Sequence, residues 1–211
     1  MPAGAEKIEE GRDRRAEILR AAELLFAERG YAAVSIRDIA GAASVPIALV
    51  RYYFGRKEEL FGFIFEAHRH LISERVEGIR AVGGPAGPAR VERIVRAWAE
   101  PVLRERATEA ANSFSVLVAR SIWEADAVNR RIVEQYYDPL AHCFLAAMRE
   151  ALPGRDAASL VLAYEWSLGA LLTFIADNRV ERLSAGAVRA GDPQQAERLI
   201  RFIVAGFLAS G

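Results

Sequence analysis

Apolar residues recur at spacings of three and four along nearly the whole chain, and no segment alternates apolar and polar residues as a half-buried strand would. Positions three and four apart share one face of an α-helix, whereas successive residues of a strand point to opposite faces. The pattern therefore confines the chain to packed helices. Ile18, Ala22, Leu25 and Phe26 form one stripe within 13–29, and Leu60, Ile64, His68, Leu71, Ile72, Val76 and Ile79 keep the same spacing within 57–79. Similar patterns cover about 89–106, 108–123, 127–152, 157–177 and 193–209, and two short ones lie at 36–40 and 47–53. The expected fold is all-α, with about nine helices.

Punctuation residues divide this series. Gly30 suits the left-handed position that ends a helix, and Ser35 suits an N-cap. Pro46 fits the start of a helix because its missing N–H has no helical partner there. The stretch GGPAGP at 83–88 is the clearest linker, and PGRD at 153–156 is a turn. The predicted organisation is a flexible arm over 1–12, a small domain over 13–56 and a larger helical domain over 57–211. Within the larger domain, 57–82 is a connecting helix, 89–152 a middle region and 157–209 the closing helices.

The chain has 211 residues, 28 basic and 28 acidic side chains, and 52% hydrophobic residues. That composition suits a soluble protein with a real core and argues against a generally basic nucleic-acid coat. Cys143 is the single cysteine, so no intramolecular disulfide can form, which fits a reducing compartment. The N-terminus, MPAGAEKIEEGRDRR, has no apolar core of a secretory signal. No apolar run is expected to reach the length of about 20 residues that a membrane span requires. A cytoplasmic location without a membrane partner is expected. His68 and His70 stand two apart and point to different helix faces, and His142 beside Cys143 has no repeated partner. Phosphate-binding loops, dinucleotide fingerprints, zinc motifs and nucleophile elbows are missing from the sequence. No cofactor, metal site or catalytic function is expected.

The basic character is local. From Arg29 to Lys57 five cations face one carboxylate, Asp38, for a net +4 in a neutral chain. The short helix at 36–40, the turn around Ser44–Pro46 and the short helix at 47–53, the last two within ASVPIALVRYYFGRKEELF, form the helix-turn-helix arrangement that lays its second helix in the major groove of DNA. Pro46, Ile47, Ala48 and Leu49 let the backbone approach base edges. Val50 and Phe54, four apart, anchor the helix underneath. Arg51, Tyr52, Tyr53 and Lys57 supply donors for phosphates, and Ser35 and Arg37 add a helix N-terminus and a cation at the bracing helix. A packed corner within a protein-binding helical module is the competing reading, and it requires carboxylates to satisfy the Arg51–Lys57 cations.

The segments LLFAERGYAAVSIRDIAGAASV and YYFGRKEELF together resemble the DNA-binding domain of TetR-family transcriptional regulators. The resemblance is carried by the N-terminal quarter or so of the chain. It implies a homodimeric repressor whose residues Ser35, Arg37, Ile47–Leu49, Arg51–Tyr53 and Lys57 face a double-stranded operator. Arg51 stands where many members have Tyr, and Ala48 and Leu49 stand where many have Gly or Thr, so the operator sequence does not carry over. The resemblance also implies a small effector bound among the middle helices. Trp98, Phe114, Leu117, Trp123, Tyr137, Phe144 and Trp166 are the candidate walls, with Asn112, Ser113, Ser115, Arg120, Gln135, His142 and Cys143 as polar groups. Such a lining favours an apolar or amphipathic ligand. The helices at 157–177 and 193–209 are expected to dimerise through Leu168, Leu171, Leu172, Ile200, Ile203, Val204 and Phe207. Burial of both helices within one subunit is the alternative.

Overall fold

A computed structural model describes the backbone of residues 3–106, 109–124, 126–177, 179–190 and 192–209, and the side chains of these except 3–12, 105–112 and 193. Residues 1–2 of the expected arm, residue 108 at the edge of an expected helix, and the Asn112 side chain lie outside the described residues. Among the described residues the chain is all-α. The helices are α1 (Ala3–Arg29), α2 (Ile36–Ala42), α3 (Ile47–Phe54), α4 (Lys57–Ala67), α5 (Arg69–Arg80) and α6 (Pro88–Arg106). They continue as α7 (Glu109–Trp123), α8 (Ala127–Ile132), α9 (Asp138–Ala151), α10 (Ala157–Ala176), α11 (Arg179–Leu183) and α12 (Pro193–Ala209).

Of the three additional helices among the described residues, two arise from local breaks and the third, α11, lies between the expected helices at 157–177 and 193–209. The expected 57–79 helix divides at His68, whose φ of −98° and ψ of 11° leave the helical well between α4 and α5. The expected 127–152 helix divides around a π-helical segment, Val133–Tyr137. There the Asp138 N–H reaches back five residues to the Val133 carbonyl, just before Pro139, which has no N–H to donate. Pro139 thus starts α9 rather than lying inside a longer helix. Pro101 lies within α6, which continues to Arg106. The expected arm is also different: residues 3–12 extend α1 as helix.

Two apolar cores organise these helices. The N-terminal core joins Ile18, Ala22 and Phe26 of α1, Ile39 of α2, Val50 and Phe54 of α3, and Leu60, Phe61, Ile64 and Phe65 of α4. Phe114 and Leu117 of α7 enter the same core, so the small domain is not closed on itself. Phe61 packs edge-on against Phe26 and Phe65, with centroids 5.1 and 5.2 Å apart. The second core draws on α5, α6, α9, α10 and α12, with Trp98, Phe144, Tyr164 and Phe207 as its aromatic centre. Arg96 on α6 clamps α12 by two hydrogen bonds to Glu197, of 2.7 and 2.9 Å.

One sequence expectation is corrected by α10. This helix has 20 residues of mean hydropathy 1.5, long and apolar enough to cross a membrane. Glu165 is its one charged residue, too few to interrupt the run. Here α10 packs against α7, α9 and α12, with Leu160, Tyr164, Leu171, Leu172 and Ile175 buried among them. Core helices of helical bundles share this composition with membrane spans.

Candidate nucleic-acid interface and regulatory cavity

The local chemistry of α2 explains its start. The Ser35 hydroxyl accepts from the Asp38 N–H at 3.2 Å, while the Asp38 carboxylate accepts from the Ser35 N–H at 2.8 Å. The Ser35 hydroxyl also donates to Asp38 at 2.5 Å, and this bond helps hold the Asp38 carboxyl below its ordinary pKa. The Ser35 side chain is therefore closed on its own cap. Arg37, one position into α2, is exposed, and no carboxylate lies within ion-pair distance of it among the described residues.

A turn with Ser44 at φ 53° leads from α2 to Pro46, the N-cap of α3. The faces of α3 then separate cleanly. Val50 and Phe54 are buried as anchors. Leu49 and Tyr53 are half-buried against the N-terminal core. The outer face carries Ile47, Ala48, Arg51 and Tyr52, all exposed, with Tyr52 80% accessible. Of the residues expected to touch DNA, this face retains those four, with Pro46 at its leading edge. Leu49 and Tyr53 turn to the side because helical spacing aligns them with the anchors. Among the described residues Arg51 has no carboxylate within ion-pair distance, whereas Arg56 lies 3.5 Å from Glu59. Gly55 permits the sharp exit into α4 because its φ of 67° strains any residue with a Cβ, which here would also meet the Glu59 carboxylate.

Lys57 departs most from expectation. Its ammonium donates to the carbonyls of Tyr31 and Val34, each at 2.9 Å, and stands 4.1 Å from the Tyr31 ring centroid. Burial pushes its pKa down. These carbonyls belong to the α1–α2 connection, outside any helical ladder, and Lys57 satisfies them. Lys57→Ala is expected to destabilise the N-terminal domain by about 2 kcal/mol, read as a lower denaturant midpoint. An unchanged midpoint would show that the ammonium is free for DNA.

Between the two cores lies a cavity of about 240 Å³. Leu71, Ile72 and Arg75 of α5, Phe114, Ser115 and Val118 of α7, and Tyr164, Leu168, Leu171 and Leu172 of α10 contribute to its wall. Val133, Tyr137 and Asp138 also reach the cavity, and all three belong to or follow the π-helical segment. Of the expected wall residues, Phe114 and Tyr137 line it. Trp98 and Phe144 are instead interior to the C-terminal core, and Leu117 to the N-terminal core. Trp123 and Trp166 are exposed. Aromatic character alone did not separate core from wall. Arg75 was missed, although an arginine on the stripe Leu71, Ile72, Val76 and Ile79 was a visible signal.

Phe114 ties this cavity to the N-terminal domain. Its ring stacks on His68 with centroids 3.8 Å apart and planes 9° from parallel. His68 Nε2 lies 2.9 Å from Glu23 Oε2 on α1, and the Ser113 hydroxyl donates to the other oxygen of Glu23. The break between α4 and α5 thus sits against both the cavity wall and α1.

Comparison with known proteins follows this division. Residues 18–62 match the family described as bacterial regulatory proteins, tetR family. Residues 96–206 match the tetracyclin repressor-like C-terminal domain. The chain belongs to the TetR family. It is similar to the transcriptional repressor Rv3405c of Mycobacterium tuberculosis, with 47% identity over 66 residues, 31% of this chain and 32% of that protein. The chain therefore spans about a third of the length of the first curated relatives it matches. The transcriptional repressor KstR2 of M. tuberculosis is 30% identical over 142 residues, covering 60% of this chain and 70% of that one. Among solved structures, the fatty acid degradation regulator FadR from Bacillus halodurans superposes with a TM-score of 0.63 at 14% identity, covering 92% and 95% of the two chains. That likeness concerns the fold.

Within this TetR-family chain, the expected dimer residues turn inward. Leu171, Leu172, Ile200, Ile203 and Phe207 are buried within the chain's own core, and Leu168 and Val204 pack half-buried against it. The opposite faces are left open. They carry Val161, Leu162 and Trp166 on α10 and Phe202 on α12, with Trp166 66% and Phe202 67% accessible. Apart from its own stretch of helix backbone, Gly169 has no described atom within 4 Å of the place a Cβ would occupy. The nearly all-round apolarity of α10 concealed which face was inward.

Proposed function

We propose that this protein is a homodimeric transcriptional repressor that binds a palindromic operator through α3 and is released by a small apolar or amphipathic effector. The observation that carries the reading is the outer face of α3, where Arg51 stands exposed without a carboxylate partner among the described residues, beside Ile47, Ala48 and Tyr52. A packed structural corner would have paired that cation. The repressors among its curated relatives support the same direction.

A single short helix touches too few base pairs for tight specific binding, and two-fold pairing presents two such helices at half-sites about 34 Å apart. The open α10 and α12 faces supply the apolar surface for that pairing. A residue of the kind found at interface centres, Trp166, lies in the middle of α10. The cavity supplies the effector site. A ligand pressing on Phe114 also presses on His68, and His68 holds Glu23 of α1. The spacing of the two reading helices and the occupancy of the cavity then become linked, so the ligand weakens DNA binding by the factor by which DNA weakens ligand binding.

The test is a titration of labelled DNA from upstream of the protein's own gene against scrambled DNA, over a salt series. Specific binding whose log affinity falls linearly with log salt, with a slope near −0.9 per phosphate neutralised, is the expected result. Equal weak binding to both DNAs, with a genome-wide fragment selection also blank, would sink the proposal. For the coupling route, His68→Phe keeps a ring on Phe114 and removes the contact with Glu23. This variant is expected to bind the operator but to lose about 1–3 kcal/mol of the ligand's effect on DNA affinity. Full ligand response in the variant would place the coupling elsewhere.

A further inference from the structure

The cavity contains a charge that no described carboxylate pairs with. Arg75 is only 7% accessible, yet among the described residues no carboxylate lies within ion-pair distance of it. Its Nε donates to the Trp98 carbonyl at 2.6 Å, and its guanidinium carbon lies 5.4 Å from the Trp98 ring centroid. These contacts use one edge and one face of the group. The terminal N–H groups find no acceptor among the described residues, and Arg75 lines the cavity. The titratable groups acting on it are the phenols of Tyr137 and Tyr164, both at the cavity wall. Burial raises both phenol pKa values, that of Tyr164 to about 12, so both remain neutral hydroxyl donors near neutral pH.

We propose that this cavity takes a monocarboxylate with a compact apolar body, its carboxylate gripped by the free edge of Arg75 and its hydrocarbon part seated among the apolar walls. This rests on the reading of the cavity as the effector site and gives that effector a chemical class. A buried guanidinium without a counter-charge is costly, and a planar carboxylate matches its fork with two parallel hydrogen bonds. The volume of about 240 Å³ limits the size of the body. Asp138 and Glu165 also line the cavity, and neither pairs with Arg75. A second carboxylate on the ligand would meet these two anions, which sets monocarboxylates above dicarboxylates.

The experiment is calorimetric titration of the full chain with octanoate, octan-1-ol and octanedioate. Octanoate is expected to bind at least about tenfold more tightly than either of the others. Arg75→Met should abolish that preference, and Arg75→Lys, which keeps the charge without the fork, should restore part of it. Equal affinity for octanoate and octan-1-ol in the wild type would overturn the proposal, as would unchanged octanoate binding by a folded Arg75→Met protein. So would the absence of octanoate binding at millimolar concentration. The wild-type comparison stands even if the variants fail to fold. Operator binding is measured separately on the same samples. Octanoate that binds through Arg75 without altering operator affinity would sink the effector reading alone, whereas operator release by octan-1-ol without octanoate binding would sink the anion site alone.

Discussion

Arg51→Ala is expected to lose operator binding while leaving the fold untouched. The side chain is exposed and unpaired with any carboxylate among the described residues, so its removal takes away no internal contact of consequence. Surface substitutions of this kind stay within about 0.5 kcal/mol of wild-type stability. On DNA the situation is different, because a two-fold dimer loses the same contact at each half-site. An arginine contact to a base edge is worth about 1–3 kcal/mol of discrimination, so two of them amount to about 2–6 kcal/mol, at least about 30-fold in affinity. The loss should appear on specific DNA in a mobility-shift or fluorescence titration, with an unchanged far-UV spectrum and thermal midpoint. Operator binding at wild-type strength would remove Arg51 from the interface and with it the main support for the DNA reading.

Trp166→Glu should separate the proposed dimer into folded monomers. Trp166 is largely accessible within its own subunit, so the substitution costs the subunit little. At a two-fold interface the same tryptophan is buried twice, and a central tryptophan contributes about 2–4 kcal/mol each time. The dimer dissociation constant should therefore rise about a thousandfold or more. Sedimentation velocity at micromolar concentration would read the change, and Phe202→Glu on α12 should reproduce it. Operator affinity should fall in parallel, since each monomer holds a single reading helix. By contrast, substitutions at Leu171 or Phe207, first expected at this interface, should act through stability, because both side chains are buried inside the subunit. A Trp166→Glu protein that remains dimeric would direct the search for the interface to another surface.

The two predictions draw on different kinds of information. The outer face of α3 was largely legible in the sequence. Val50 and Phe54 stand four apart, so their burial points Ile47, Ala48, Arg51 and Tyr52 outward once the helix forms. Gly30, Ser35, Pro46 and Gly55 set the helix ends through their own backbone chemistry, and each was visible as a residue type in its place. The breaks at His68 and before Pro139 were harder to see. The apolar stripe runs through the first without interruption, and the second depends on how a helix accommodates a missing donor.

What the sequence by itself determined was the helical class and the short helix α3 with its buried anchors, because spacing, caps and turns act over a few residues. The tertiary structure alone decided which faces of α10 and α12 point inward, that the Lys57 ammonium closes on Tyr31 and Val34, and that Arg75 is buried at a cavity with no described carboxylate within ion-pair distance of it. Each of these outcomes depends on partners far along the chain. A helix that is apolar nearly all round does not state which side meets its own core, and a cation does not state whether its counter-charge lies within the protein or on a ligand.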